Sequence, residues 1–207
     1  LGVMPTYSPT ELDAVVQARM ATLSSKELLS ERIHKRLLEM WCASRFALGY
    51  AQHFGPCRIE IEDVDEQRDF DFHQLLGDDR RLPFQITEVK DKNWARGWEY
   101  KNLSLGEIER RQQENGAMSE DTALCRFREQ LLSKANDKYA NAKSLSILLY
   151  ANIHVFGIRW EKIQVHLNDL AEQFSSVWVI TENLITCIFG DELTNGEPGW
   201  RPILDDA

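Results

Sequence analysis

At 207 residues, with 43% hydrophobic side chains and a formal net charge of −9, the chain is long enough to bury one sizeable core and too acidic to coat nucleic acid through broad positive potential. No run of eighteen apolar residues occurs, and Leu1 to Thr10 has neither the basic nor the apolar region of a secretory leader, so a soluble, cytoplasmic protein without a membrane partner is expected. Cys42, Cys57, Cys125 and Cys187 lie far apart with no Cys-x-x-Cys pair. That argues against zinc and for small buried residues in a reducing compartment.

In chain order, Ser8-Pro9-Thr10-Glu11 has the capping-box pattern with proline at the first helical position, and Leu12, Val15, Val16 and Met20 follow at helical spacing, predicting a short helix to about Leu23. Ser24 to Glu27 repeats the start signal, and Leu28, Ile33, Leu37, Met40, Trp41, Phe46 and Leu48 extend a long second helix that Gly55-Pro56 ends. Arg58 to Glu62 alternates apolar and charged residues and reads as a half-exposed strand. Arg68 to Leu76 and Leu82 to Lys90 read as two more, joined by a turn at Gly77 to Arg81. Three strands with short connections make an antiparallel meander.

Helices are predicted from Ser104 to Gly116 and from Ser119 to Tyr139, and again over Trp160 to Phe174. Ser144 to Ile153 is a nearly continuous apolar run, the pattern of a strand buried on both faces, and Val177 to Ile180 and Leu184 to Phe189 are the last strands. The sum is an α/β fold, a mixed central sheet with helices packed on it. Its expected organisation is an N-terminal helical arm over residues 1–24, one domain over 25–190 and an irregular tail over 191–207.

The chemistry-bearing residues concentrate in the meander. Side chains alternate along a strand, so Glu88 and Lys90 share a face, as do Asp69, Asp71 and His73, with Phe70, Phe72, Gln85, Thr87 and Val89 on the opposite faces. Mg²⁺ or Mn²⁺ takes hard oxygen ligands. Asp71 and Glu88, with the backbone carbonyl of Val89, supply such a set, and Lys90 is placed to hold an attacking water or stabilise negative charge. Asp69 competes with Asp71 for the metal role, and a lysine beside two carboxylates is also an ordinary ion pair. Only residues 90–143 carry a basic excess, 11 Lys and Arg against 9 Asp and Glu. Within it Lys92, Trp94, Arg96, Trp98, Tyr100 and Lys101 form an aromatic and basic stretch suited to stacking on bases and holding phosphates.

This acidic residue, followed one hairpin later by Glu-x-Lys inside a helix–meander–helix–strand frame, resembles the PD-(D/E)xK phosphodiesterase superfamily, over roughly residues 25–155. The resemblance implies a restriction-endonuclease-like fold and a metal-dependent endonuclease acting on DNA, with Asp71, Glu88 and Lys90 catalytic. It also implies a glutamate on the helix before the sheet, for which Glu31 is the candidate and Glu39 the rival, and a basic residue on the helix after Lys90, for which Lys134 and Lys138 are candidates. The acidic residue is not preceded by proline, unlike the family pattern. Glu31 stands four before Lys35, and Glu39 follows Lys35 and Arg36 by four and three, so helical ion pairing explains either without catalysis. A possible homodimer follows from the two centres that cutting a duplex requires. The alternative is a catalytically inactive interaction module on the same scaffold, which the acidic balance favours.

Overall fold

A computed structural model describes residues 4–24, 35–61, 70–90, 118–136, 142–153, 157–193 and 198–205. The described residues form eight strands and four α-helices in the order β1 (Thr6–Tyr7), α1 (Pro9–Met20), α2 (Lys35–His53), β2 (Cys57–Glu60), β3 (Phe72–Leu76), β4 (Arg81–Lys90), α3 (Glu120–Asn136), β5 (Ser146–Asn152), α4 (Trp160–Ala171), β6 (Ser176–Ile180), β7 (Leu184–Phe189) and β8 (Arg201–Pro202). All eight strands lie in one sheet in chain order. β4, β5 and β6 are mutually parallel and every other neighbouring pair is antiparallel. The α/β class, the mixed sheet and the β2–β3–β4 meander are therefore those the sequence implies. The helix expected over residues 104–116 lies outside the described residues.

The capping box at the start of α1 is formed. Glu11 N–H donates to Ser8 Oγ at 3.3 Å, and Ser8 N–H donates to the Glu11 carboxylate at 2.7 Å, satisfying donors that helix geometry leaves without partners. Leu12 and Val16 from α1 are fully buried in the same core as α2, Ser44 Oγ donates to the Asp13 carboxylate at 2.7 Å, and β1 pairs with β2. At the other end β8 pairs with β7 and Ile203 is buried. The residues expected as an arm and a tail thus contribute an edge strand each to the sheet.

Every residue of α2 from Cys42 to Tyr50 is buried. One side of the helix lies on the sheet, where Phe46 packs against Phe84 at 4.8 Å, Trp178 at 5.3 Å and Phe72 at 5.9 Å between ring centroids. The other sides meet α1 and the segment 201–205. Arg45, in this buried run, is tolerated because each guanidinium nitrogen has an acceptor: it donates to the carbonyls of Glu182 at 2.9 Å and Ile203 at 3.4 Å and pairs with the Asp205 carboxylate. The helix ends before Gly55, whose φ of 134° suits glycine.

The second face of the sheet is covered by α3 and α4, with Phe127, Leu131, Ile163 and Leu167 over Ile147, Leu149, Val177 and Val179. β5 is buried on both faces from Ser146 to Leu149, which is why its sequence is a continuous apolar run.

Candidate functional site

The site is set by two strands of unequal length. β3 pairs with β4 only from Phe72↔Phe84 to Leu75↔Arg81, while β4 runs on to Lys90 beside β5, pairing Glu88 with Tyr150 and Lys90 with Asn152. Beyond Phe84 no further rung joins β3 to β4 among the described residues. Asp71 sits at this exit, in a bend immediately before β3. Its N–H donates to the Phe84 carbonyl at 2.7 Å, and its carboxylate accepts the Ile86 N–H at 2.6 Å. The side chain thereby supplies the acceptor that the next rung of backbone would have supplied. Its own carbonyl, turned out of the ladder, accepts from Arg36 Nη2 on α2 at 3.0 Å.

Burial holds the Asp71 carboxyl above its ordinary range, at about 6, and the nearby Glu39 carboxylate adds to the effect. The Ile86 N–H, Arg36 and Lys35 act in the opposite direction without cancelling it. Glu39 in turn accepts from Arg36 Nη1 at 2.9 Å and pairs with Lys35 Nζ at 3.0 Å. One oxygen of Asp71 is anchored on a backbone amide, and the other accepts no hydrogen bond from the described residues.

Phe72 and Phe84 are cross-strand partners stacked at 4.9 Å on the α2 side, so Ile86, Glu88 and Lys90 face α2 and His73 faces the other way. This corrects the expected alternation, which set Phe72 opposite the acidic face and His73 on it. Asp71 reaches β4 through the bend, in the plane of the sheet, and not by strand alternation. His73 lies instead 3.5 Å from Glu60, which Arg81 also pairs at 2.6 Å.

Glu88 is partly buried. Its Oε1 accepts from Asn152 Nδ2 at 2.6 Å, and Lys90 Nζ stands 4.0 Å from its Oε2, a loose pair on a half-exposed lysine. On the same face Tyr150 meets Trp41 of α2 edge-on at 5.2 Å. Glu88 and Ile86 are two residues apart, roughly 7 Å along a strand. Asp71, Glu88, Lys90 and Asn152 therefore gather at the carboxyl ends of two adjacent parallel strands, where open α/β sheets commonly bind ligands.

Not every expected site residue falls here. Glu31, Asp69, Lys92, Trp94, Arg96 and Lys138 lie outside the described residues. Lys134 is in the last turn of α3, a helix that packs on the opposite face of the sheet from Glu88. Glu39, the rival to Glu31, is the helix glutamate that approaches Asp71. Arg36 and Asn152 were not singled out from the sequence. Arg36 carries no signal beyond helical pairing with Glu39, and Asn152 could have been found from the parallel partnering of β5 with Glu-x-Lys.

Of the expected metal set, Asp71 lies at the entrance of β3 and Glu88 and Val89 lie near the end of β4. Asp71 and Glu88 each give an oxygen to an N–H donor. Phe84 and Ile86 turn their polar backbone toward β3, so by alternation Val89 turns its carbonyl into the β5 ladder. Among the described residues no group of three or more His, Cys, Asp or Glu is arranged to hold a metal ion.

No family model and no curated protein matches the chain. A solved structure from Pseudomonas aeruginosa strain PAO1, described as a protein of unknown function of the Monooxygenase Superfamily, aligns over 96% of this chain and 96% of its own with 16% identity and a TM-score of 0.49. The expected PD-(D/E)xK membership is not borne out, since no family model matches, and the metal-dependent DNA endonuclease it implied is corrected by the lack, among the described residues, of any group of three or more His, Cys, Asp or Glu able to hold a metal ion. No described helix is long and apolar enough to cross a membrane.

Proposed function

We propose that the carboxyl ends of β4 and β5 form an acid–base active site for a small polar substrate, in which Asp71 moves the proton. The observation that carries this reading is the state of the Asp71 carboxyl. One oxygen is fixed at 2.6 Å on the Ile86 amide, the other is left for a substrate, and the group is held near a pKa of about 6. A carboxyl poised near neutrality accepts and returns a proton with little driving force wasted in either direction.

The neighbours have complementary roles in this reading. Lys90, half exposed and only loosely paired at 4.0 Å, is the cation that meets negative charge developing on the substrate. Glu88, oriented by Asn152, accepts a substrate hydroxyl or amide hydrogen and fixes the substrate relative to Asp71. Trp41 and Tyr150 give the site an apolar wall.

Incubation in D₂O with a panel of carboxylate-, phosphate- and amide-bearing metabolites, followed by proton NMR, tests this directly. Wild type is expected to consume a panel member or exchange one of its C–H protons, and Asp71→Asn to slow that process by about 100-fold or more. A wild type inert toward the whole panel, or an Asp71→Asn variant as fast as wild type, overturns the proposal.

A further inference from the structure

The bend that presents Asp71 to β4 is not explained by the strands alone. Once the chain leaves β3, the Asp71 carbonyl has no ladder partner, and the N–H of Ile86 has no strand opposite it among the described residues. A single guanidinium addresses this arrangement from outside the sheet. Arg36 Nη2 donates to the Asp71 carbonyl at 3.0 Å while Nη1 donates to Glu39 at 2.9 Å, and both the Arg36 and Glu39 side chains are largely buried, at 13% and 12% exposure.

The geometry points to Arg36 as a positioning residue for Asp71: by clamping the Asp71 carbonyl to α2, it turns the carboxylate onto the Ile86 amide. This rests on the reading of Asp71 as the proton-transfer group. Glu39 serves the same end by orienting the guanidinium, itself steadied by Lys35 at 3.0 Å. The fork matters as much as the charge, because a lysine at this position reaches one acceptor at a time whereas an arginine spans two in a fixed plane.

The consequence is local. With the clamp gone, the carbonyl of Asp71 is free to rotate and the carboxylate loses its aim at Ile86, while the ladder from Phe72 to Leu75 remains paired through its own backbone bonds.

Amide-resolved NMR of the whole chain carries the test, with Arg36→Met removing charge and fork and Arg36→Lys keeping the charge. The expected result in both is an upfield shift of the Ile86 amide proton and hydrogen exchange there about 10-fold faster. The Leu76 amide, which donates to the Arg80 carbonyl at the far end of β3, keeps its wild-type rate. Glu39→Gln gives a smaller shift in the same direction. An unchanged Ile86 amide in Arg36→Lys and Arg36→Met overturns the proposal, and so does faster exchange at Ile86 and Leu76 together, which marks general loosening of the strand. The readout needs no substrate, so an inert wild type in the metabolite assay removes the acid–base reading while the clamp is judged separately.

Discussion

Asp71 and Ile86 are joined by a hydrogen bond of 2.6 Å in which a side-chain carboxylate replaces a strand as the acceptor for a backbone amide. A buried amide must be satisfied somewhere, and here the acceptor is an ionisable group. Stability and pH are coupled through it. Folding raises the Asp71 pKa from 3.8 to about 6, so between those values the folded state binds more protons than the unfolded chain. Stability from this group is fully present below pH 4 and is lost as the pH rises through 6.

Replacing Asp71 by asparagine removes that dependence while keeping a carbonyl oxygen for the Ile86 N–H. Asp71→Asn is expected to be more stable than wild type at pH 8 by about 1 to 2 kcal/mol and nearly equal to it at pH 4. Thermal unfolding at the two pH values checks the sign. A gain in stability on removing a charged group is the signature of a residue retained for function.

Lys90→Met separates function from folding in the same site. The pair with Glu88 is long, at 4.0 Å, and the lysine is half exposed, so the variant is expected to keep its stability within about 0.5 kcal/mol. Any turnover found for the wild type should fall by about 10-fold or more. Calorimetry alongside the NMR assay measures both quantities.

The frame around this site was legible in the sequence because it is local. Ser8 and Glu11 announced a capping box that is formed, the break at Gly55-Pro56 ends α2, and the apolar run after Ser144 is a strand buried on both sides. Asp71 was legible as a residue but not in its orientation. Strand alternation extrapolated through Asp69, Asp71 and His73 fails because β3 starts only at Phe72 and the chain bends at its entrance. The joining of Glu39, Arg36 and Asn152 to the site depends on α2 crossing the sheet and on β5 lying parallel to β4, both long-range events that no window of sequence contains. The same holds for the chain ends, whose strands are only two residues long and owe their existence to β2 and β7.

Arg45 reports on the C-terminal strand. Arg45→Met leaves the Glu182 and Ile203 carbonyls without their donor and frees Asp205, and is expected to cost about 3 kcal/mol. Hydrogen exchange locates the damage: the amides of Ile203, bonded to Asn183 at 2.8 Å, and Leu204, bonded to Gln52 at 3.0 Å, should lose protection before those of β6. Uniform loss across the sheet would contradict the local role.

Gly49 sits where α2 packs closely on β7 and on Ile203. A Cβ there would stand 2.8 Å from Ile185 Cγ2 and 3.0 Å from Ile203 Cγ1. Gly49→Ala gains helix propensity but is expected to lose about 1 to 3 kcal/mol net through overpacking. Chemical denaturation reads the difference.

The most direct measurement is a carbon-13 titration of the Asp71 side-chain carboxyl in the wild-type protein, followed together with the amide proton of Ile86. A midpoint near pH 6, with the Ile86 amide shifting along the same curve, is the predicted result. A midpoint in the ordinary aspartate range of about 4, with an Ile86 amide indifferent to it, contradicts Asp71 as the proton-transfer group.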